Sequence, residues 1–273
     1  MRSVTLSILF FLFPGVHTTC QSPGQNFEPL SDSIYLTQIV TDTLFGSKQR
    51  ISILILDLEA IPKYKIDFAY QESELLKTSQ IAESRDALAA INRSFFDMDK
   101  GGSVTYFERK DSVISRTRSS ELKWAVPDSL ANGALILNKN NILEIETARQ
   151  EGAYESSLSE AFVMISGPLL IDNSIAQPLP DMNFANKRHP RTCVGITRES
   201  VLFITFDGRS DQAEGMNLME VQDFLLDMGC TDALNLDGGG STCMWTFDKG
   251  VVNRPSDKTG ERPVANAILI LEK

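Results

Sequence analysis

The chain has 273 residues, and its composition is that of an ordinary globular protein. Hydrophobic residues make up 42% and charged residues 23%, which argues against a disordered chain, a collagen, a coiled coil or a multi-span membrane protein. The 26 basic and 36 acidic residues give a net charge of −10, so the body of the protein would repel nucleic acid and anionic lipid surfaces. We therefore expect no nucleic-acid partner, and an anionic substrate must be met by a local basic cluster.

The first twenty residues are typical of a signal peptide. Arg2 precedes an apolar run over residues 6–13, which is too short to span a bilayer. Cys20 stands where a lipoprotein signal places its acylated cysteine, whereas His17 departs from that signal. We expect residues 1–20 to be cleaved on export to the periplasm, the cell surface or the medium. Whether Cys20 carries a lipid anchor, which would be the one contact with a membrane, stays open.

After a tether predicted over residues 21–32, residues 33–273 are expected to form one domain. Isoleucines alternate with other residues over 51–56, and the second face of this run is also apolar, which predicts a strand covered on both sides. Turn-like clusters between further apolar runs predict successive hairpins, and these clusters lie at residues 138–141, 172–174 and 198–200.

Two helices are expected in this largely β pattern. The weaker covers about residues 78–84 and gives way to an extended segment over 87–96. The stronger begins after Asn217, with Glu220 three residues later as in a capping box, and ends at Gly229. No strand–helix alternation supports a doubly wound sheet. The sequence therefore predicts an α+β fold, a single domain rich in antiparallel or mixed β-sheet with a few helices.

Cysteine and histidine usage limits the metal chemistry. Beyond Cys20 the chain has Cys193, Cys230 and Cys243, an odd number without CxxC spacing, which favours three buried free thiols and allows at most one disulfide. With two histidines in the chain, a multi-histidine zinc site is excluded. The sequence requires no cofactor, while calcium or magnesium on carboxylates stays open.

The most unusual segment is NLDGGGST at residues 235–242. Three successive glycines let backbone N–H groups approach a ligand closely, so an anion-binding concavity next to the Asp237 carboxylate is reasonable. A tight turn would explain the same residues equally well. No lysine follows, so this segment is not a nucleotide-binding P-loop.

A basic cluster precedes one of the predicted strands. Arg188, His189 and Arg191 fall within five residues of an otherwise acidic chain, and Asp207 and Arg209 end the next strand. Guanidinium groups fork onto phosphate oxygens with fixed geometry. Taken alone, such a cluster is more often a solvated loop.

Taken in chain order, these fragments resemble the phosphodiester glycosidase family. The matching fragments are residues 92–96, 166–170, 188–192 and 207–209, Gly215 with Glu220, and residues 235–242, 253–255 and 261–266. The resemblance extends from about Asn92 to the C-terminus. Arg93 stands where the family commonly has a small residue, and Cys243 where a hydroxyl or small residue is usual. We expect Arg93 to reshape substrate access.

The resemblance implies a hydrolase that cleaves the glycosidic bond of a sugar-1-phosphodiester, of the N-acetylglucosamine-1-phosphate type, and releases free sugar. Its partner would be a glycan or a sugar-phosphate polymer. Asp237 would act at the anomeric carbon as nucleophile or base, with Glu220 and Asp207 as candidates for a second acid–base role. The residues expected to bind sugar or phosphate are Asn92, Arg188, His189, Arg191, Arg209, Asn235, Gly238, Gly239, Gly240, Ser241, Arg262 and Asn266.

Two other classes of function stay open at this point. A metal-dependent phosphodiesterase would use Asp237, Asp207 and Glu220 as metal ligands and would cleave the P–O bond. A non-catalytic glycan-binding protein would need an aromatic platform, for which Trp124 and Trp245 are the available tryptophans.

Overall fold

The protein was analysed as a computed structural model, which describes residues 27–273. The helices are α1 (Thr78–Glu83), α2 (Glu151–Glu155), α3 (Asn183–Asn186) and α4 (Leu218–Asp227). The strands are β1 (Glu28–Ser31), β2 (Ile34–Thr41), β3 (Gln49–Asp57), β4 (Tyr64–Tyr70), β5 (Ala89–Asn92), β6 (Phe107–Arg109), β7 (Ser112–Ser115), β8 (Gly133–Asn138), β9 (Leu143–Thr147), β10 (Glu160–Ser166), β11 (Leu169–Asp172), β12 (Ile175–Ala176), β13 (Arg191–Ile196), β14 (Ser200–Phe206), β15 (Asp232–Asn235), β16 (Met244–Thr246), β17 (Gly250–Val251) and β18 (Asn266–Glu272). Short 3-10 turns occupy Leu44–Gly46, Leu58–Lys63 and Gly239–Ser241.

The strands form three sheets. The largest has the order β1-β2-β3-β14-β13-β15-β11-β12, and the two five-stranded sheets have the orders β7-β6-β10-β8-β9 and β17-β16-β5-β18-β4. Every pairing between these strands is antiparallel. The predicted α+β class, a single domain dominated by antiparallel sheet, is confirmed.

The main core lies where the inner faces of the three sheets meet. Leu54 and Phe203 of the large sheet pack there with Phe162 of the second sheet and with Phe68 and Ile268 of the third. The alternate residues of β3 pack on the other face of the large sheet, under α4. The expectation that both faces of this strand are covered is therefore confirmed, because successive strand side chains point to opposite faces.

Helix α4 begins as the sequence predicts. The Asn217 side chain accepts from the Glu220 N–H at 2.9 Å, and the Glu220 carboxylate accepts from the Asn217 N–H at 3.0 Å. Gly229 follows the helix with a φ of +80°, in the left-handed region where glycine is favoured. Val221, Phe224 and Leu225 form the buried face. The capping box and the amphipathic pattern therefore predict the same helix.

The three hairpins expected at residues 138–141, 172–174 and 198–200 are confirmed as β8–β9, β11–β12 and β13–β14. The tether predicted over 21–32 is wrong where it overlaps β1, since Glu28–Ser31 pairs with β2. Backbone pairing with the sheet edge outweighs the turn-like composition of this segment. The predicted signal peptide and Cys20 lie outside the described residues.

Candidate active site

The candidate site lies at one end of the large sheet, where β13, β14 and β15 meet β5 of the third sheet. Asn92, at the end of β5, donates to the Asp237 backbone oxygen at 2.6 Å. Its side-chain oxygen accepts from the Thr192 hydroxyl at 2.8 Å and from the Cys243 N–H at 3.0 Å. The Asp237 N–H donates to the Arg93 carbonyl at 2.9 Å. The backbone of Asp237 is therefore held from both sides.

The three asparagines expected to bind sugar also take part in hydrogen bonds within the protein. Asn92 is used as described above. Asn235 donates to the carbonyls of Gly167 at 2.8 Å and Leu236 at 2.7 Å. Asn266 accepts from the Ser94 N–H at 2.8 Å and is buried. Asn92 and Asn235 thereby join the strand ends. Asn266 Nδ2 is buried without a hydrogen-bond partner within residues 27–273, and a sugar-binding role of the three amides stays a prediction.

The three glycines after Asp237 let neighbouring loops approach. A Cβ on Gly238 would lie 2.8 Å from the Pro190 carbonyl, and a Cβ on Gly239 would lie 3.1 Å from Nη2 of Arg209. A Cβ on Gly240 would overlap the guanidinium of Arg262. The Gly239 N–H donates to the Pro190 carbonyl at 2.9 Å. The glycines thus act mainly by bringing arginines close to Asp237, and less by presenting N–H groups to an anion.

The Asp237 carboxyl is half-buried at the centre of these loops. Burial raises its pKa from 3.8 to about 6, because desolvation disfavours the charged form. Hydrogen bonding from the Ser241 hydroxyl, the charge of Arg262 and the Gly238 N–H lower the pKa in part. Asp237 is therefore a carboxylate at neutral pH with raised basicity, as suits a nucleophile or general base.

Two of the predicted functional residues form an ion pair with each other. Arg188 Nε donates to both Glu220 carboxylate oxygens, at 3.1 and 3.0 Å. Its Nη1 donates to Glu214 at 2.9 Å and its Nη2 to the Phe45 carbonyl at 2.8 Å. Glu220 also caps α4. The two groups pair with each other in the ligand-free protein, and the phosphate role of Arg188 and the acid–base role of Glu220 stay predictions.

Arg191 is also a structural residue. Its side chain is 1% exposed. Nε donates to the Met216 carbonyl at 2.9 Å, Nη2 donates to the carbonyls of Lys187 at 2.9 Å and of Phe184, and the guanidinium lies 4.9 Å from the centre of the Phe184 ring. Burial lowers its pKa to about 10. Its Nε and Nη2 donors bind the loops on either side, and the prediction that Arg191 holds phosphate stays a prediction.

Arg209 is the available cation of the site. Its side chain is exposed, it makes no ion pair or hydrogen bond within residues 27–273, and it lies against Gly239. Its φ of +59° is in the left-handed region, where a residue other than glycine is unfavourable. Residues held in such conformations cluster at functional sites. The neighbouring His189 is half-buried, and burial together with the charges of Arg191 and Arg209 lowers its pKa.

Asp207 anchors a neighbouring loop of the candidate site through its side chain. Its carboxylate is 2% exposed and accepts from Asn253 Nδ2 at 3.2 Å and from the Arg254 N–H at 3.0 Å. Arg50 Nε lies 3.5 Å away. Burial raises its pKa, against the effect of these hydrogen bonds and charges. The carboxyl anchors the 253–254 loop, and its acid–base role stays a prediction.

Arg93 does not reach the site. Its side chain is 1% exposed and points into the core, with the guanidinium 3.9 Å from the centre of the Phe107 ring and 5.7 Å from that of Phe68. None of its three guanidinium nitrogens has a hydrogen-bond partner within the described part of the chain. Desolvation lowers its pKa to about 9. The expectation that Arg93 reshapes substrate access is wrong.

The profile of the phosphodiester glycosidase family matches residues 85–271, a region that contains all of these loops. The chain belongs to the phosphodiester glycosidase family.

The curated relatives of this family member are distant. Human N-acetylglucosamine-1-phosphodiester alpha-N-acetylglucosaminidase is 28% identical over 190 residues, which cover 65% of this chain and 35% of the human protein. The chain therefore spans about a third of that relative's length. A prophage-derived uncharacterized protein, YomE, from Bacillus subtilis is 35% identical over 86 residues, covering 31% of this chain and 13% of that protein.

Two solved structures share the fold. The catalytic domain of the zebrafish N-acetylglucosamine-1-phosphodiester alpha-N-acetylglucosaminidase, auto-inhibited by its pro-peptide, superposes with a TM-score of 0.66 at 19% identity, covering 93% of this chain and 86% of that one. A hypothetical protein from Synechocystis superposes with a TM-score of 0.67 at 16% identity, covering 92% and 64%.

Two carboxylate contacts that organise the candidate site were not predicted from the sequence. Asp257 pairs with Arg262 Nε at 2.7 Å and with Nη2 at 2.9 Å, and Asn253 holds Asp207. The spacing of Asp257 and Arg262 is a weak sequence signal for their pairing, because Asp257 stands five residues before Arg262. The Gly260 N–H donates to the Asp257 carbonyl at 2.9 Å and closes a turn between the two residues.

The three predicted free cysteines and the candidate metal-binding carboxylates all lie within residues 27–273. Cys193, Cys230 and Cys243 are buried free thiols, as the sequence favoured. No group of three or more His, Cys, Asp or Glu side chains in this part of the chain is placed to hold a metal ion. Asp237, Asp207 and Glu220 therefore do not form the metal-ligand set of the phosphodiesterase alternative. Within the same residues, no helix is both long and apolar enough to cross a bilayer.

Proposed function

We propose that this protein hydrolyses the glycosidic bond of a sugar-1-phosphodiester, releasing free sugar and a phosphate monoester. The observation that carries the proposal is the half-buried Asp237 carboxyl, with its raised pKa, in the same glycine loop against which the unpaired cation of Arg209 lies at Gly239. The first group can act on the anomeric carbon, while the second can hold the phosphate. Family membership and the name of the human relative favour an N-acetylglucosamine-1-phosphodiester as substrate.

The chemistry needs one strong carboxylate and one cation. A phosphate monoester leaves as a weakly basic anion, so cationic stabilisation replaces much of a general acid's work. This agrees with the pairing of Glu220 and Asp207 within the protein, which leaves the half-buried Asp237 as the candidate carboxylate. Asp237 acts as nucleophile or activates water, and Arg209 stabilises the charge that develops on the leaving oxygen.

The proposal is tested by incubating purified protein with a panel of sugar-1-phosphodiesters and detecting products by mass spectrometry. We expect free sugar from the wild-type protein and none from Asp237→Asn, which keeps the side-chain volume but removes the charge. Sugar-1-phosphate as the product, with activity lost on chelation, would instead identify a metal-dependent phosphodiesterase. Saturable binding without any product would identify a glycan-binding protein.

Export of the protein and an aromatic platform for sugar both stay proposals. Export with cleavage near Cys20 rests on the sequence of the leader alone, and sequencing the N-terminus of the mature protein tests it. An aromatic sugar platform has little support, because Trp245 is buried and the indole N–H of Trp124 is bound to Asp99 at 3.0 Å.

A further inference from the structure

Arg262 is clamped by a carboxylate in the same loop. Its Nε donates to Asp257 Oδ2 at 2.7 Å and its Nη2 to Asp257 Oδ1 at 2.9 Å, a two-pronged pair that leaves Nη1 pointing elsewhere. Nη1 lies 3.5 Å from the hydroxyl of Ser241, and that hydroxyl lowers the pKa of the Asp237 carboxyl. The order of contacts is therefore Asp257, Arg262, Ser241, Asp237.

The backbone is built to admit this pair. A Cβ on Gly240 would overlap both Arg262 Nη2 and Asp257 Oδ1, although Gly240 itself is not in the left-handed region. Its lack of a side chain, and not its conformational freedom, is what the structure uses. The pair therefore lies directly on the loop that carries Asp237.

The loop that carries Arg262 is anchored on both sides of this residue. Glu261 accepts from the Ser79 N–H at 2.8 Å and from the Ser79 hydroxyl at 2.7 Å. Val264 forms a bridge with Leu76, with N–H to carbonyl distances of 2.8 and 3.0 Å. Arg262 is held between these anchors and the Asp257 turn, so its guanidinium has little freedom to follow a substrate.

We propose that Asp257 and Arg262 are positioning residues, which orient Ser241 and the Asp237 carboxylate for the reaction, and that Arg262 is not a phosphate ligand. This inference rests on the proposed function for what Asp237 does, but not for how it is held. The two-pronged pair fixes the direction of the guanidinium while its charge still acts on Asp237. With Nε and Nη2 bound to Asp257, the guanidinium is not free to make a two-pronged pair with a bound phosphate through these atoms.

Other charged groups around Asp237 have different roles. Arg209 lies on the Gly239 side, and His189 comes from the loop before β13. Asp207, at the end of β14, is occupied by Asn253 and Arg254. The charge of Arg262 favours the ionised form of Asp237, so its removal should raise the pKa of that carboxyl.

The first test follows the Asp237 carboxyl in the full-length, substrate-free protein by carbon NMR titration, assigned by its loss in Asp237→Asn. We expect Arg262→Met to raise the Asp237 pKa by about one unit or more. Arg116→Met is the matched control, since it removes a two-pronged pair with Glu155, at 2.7 and 3.0 Å, outside the candidate site. It should leave the titration of Asp237 unchanged.

The second test uses kinetics on a phosphodiester that the wild-type protein cleaves. Arg262→Lys keeps the charge but loses the fork, so we expect kcat to fall by about tenfold to a hundredfold with little change in KM. Asp257→Asn should lower kcat on its own but add no further loss in the Arg262→Met background, because Asp257 acts through Arg262.

Several results would overturn the proposal. An unchanged Asp237 pKa in Arg262→Met would do so, as would a rise in KM without loss of kcat in Arg262→Lys, which marks a phosphate ligand. Losses that multiply in the Asp257→Asn, Arg262→Met double variant would show that Asp257 acts separately. If no phosphodiester is cleaved, the proposed function fails while the titration still decides how Asp237 is held.

Discussion

The Asp237 carboxyl should reduce the stability of the folded protein at neutral pH, and Asp237→Asn should restore it. Burial raises the pKa of this group from 3.8 to about 6, and about two pH units at roughly 1.4 kcal/mol each correspond to about 3 kcal/mol. For a domain of this size, that corresponds to a rise in Tm of about 6–12 °C. An active-site charge that destabilises its own fold is the expected trade-off between function and stability.

The sign of the pH dependence follows from the direction of the shift. At pH values between 3.8 and about 6, the folded protein keeps a proton that the unfolded chain has released, so stability falls as pH rises through this window. The advantage of Asp237→Asn should therefore be complete above about pH 7. It should be about half as large near pH 5, where urea unfolding of both proteins can be compared.

Asp97→Asn is the matched control with the opposite sign. Burial opposes ionisation of Asp97, but hydrogen bonds from Arg118, at 2.7 Å, and from the N–H groups of Lys100 and Asp99 outweigh it and lower its pKa. Asp97 thus contributes stability at neutral pH that is lost on acidification, and its replacement should destabilise. An Asp237→Asn protein that is no more stable than wild type near pH 7.5, or whose advantage is independent of pH, would refute the reasoning.

Four further substitutions separate structural from functional arginines. Arg93→Met should raise the free energy of unfolding by about 1–4 kcal/mol, because it replaces a buried guanidinium that has no hydrogen-bond partner in residues 27–273. Arg109→Met should lower the free energy of unfolding, because it removes a partner of buried Asp67 at 3.1 Å. Equal urea midpoints for the two variants would contradict this. Arg191→Met should lower the free energy of unfolding by about 2–5 kcal/mol as carbonyls lose a charged donor, and an unchanged Tm would return Arg191 to the substrate-binding set. Arg209→Ala should keep Tm within about 1 °C but raise KM for a phosphodiester about tenfold or more; normal KM would remove Arg209 from the phosphate site.

The fold was largely predictable because its signals are local. The apolar faces of β3 and the capping box of α4 each lie within a dozen residues, and both predict the observed element. Helices α2 and α3 were missed because they have only five and four residues, too few for a helical period to appear. Strand β1 was missed because a short edge strand is stabilised by its neighbour and not by its own composition.

The site was predictable only as a set of loops. Motif order identified the segments that meet around Asp237, but not the direction of each side chain. Arg188 and Glu220 are 32 positions apart, so their mutual pairing leaves no trace in the sequence. The strand-end asparagines turn inward because the backbone groups of the joined loops need partners, which is a property of the assembled fold.

The central claim is that Asp237 serves cleavage at the sugar carbon, and oxygen-18 labelling tests it most directly. Wild-type protein would hydrolyse a sugar-1-phosphodiester in oxygen-18 water, and the products would be separated and weighed by mass spectrometry. Cleavage of the C–O bond predicts the label on the anomeric hydroxyl of the free sugar and none on the phosphate. Label on the phosphate would contradict the account, since solvent would then have attacked phosphorus and not carbon.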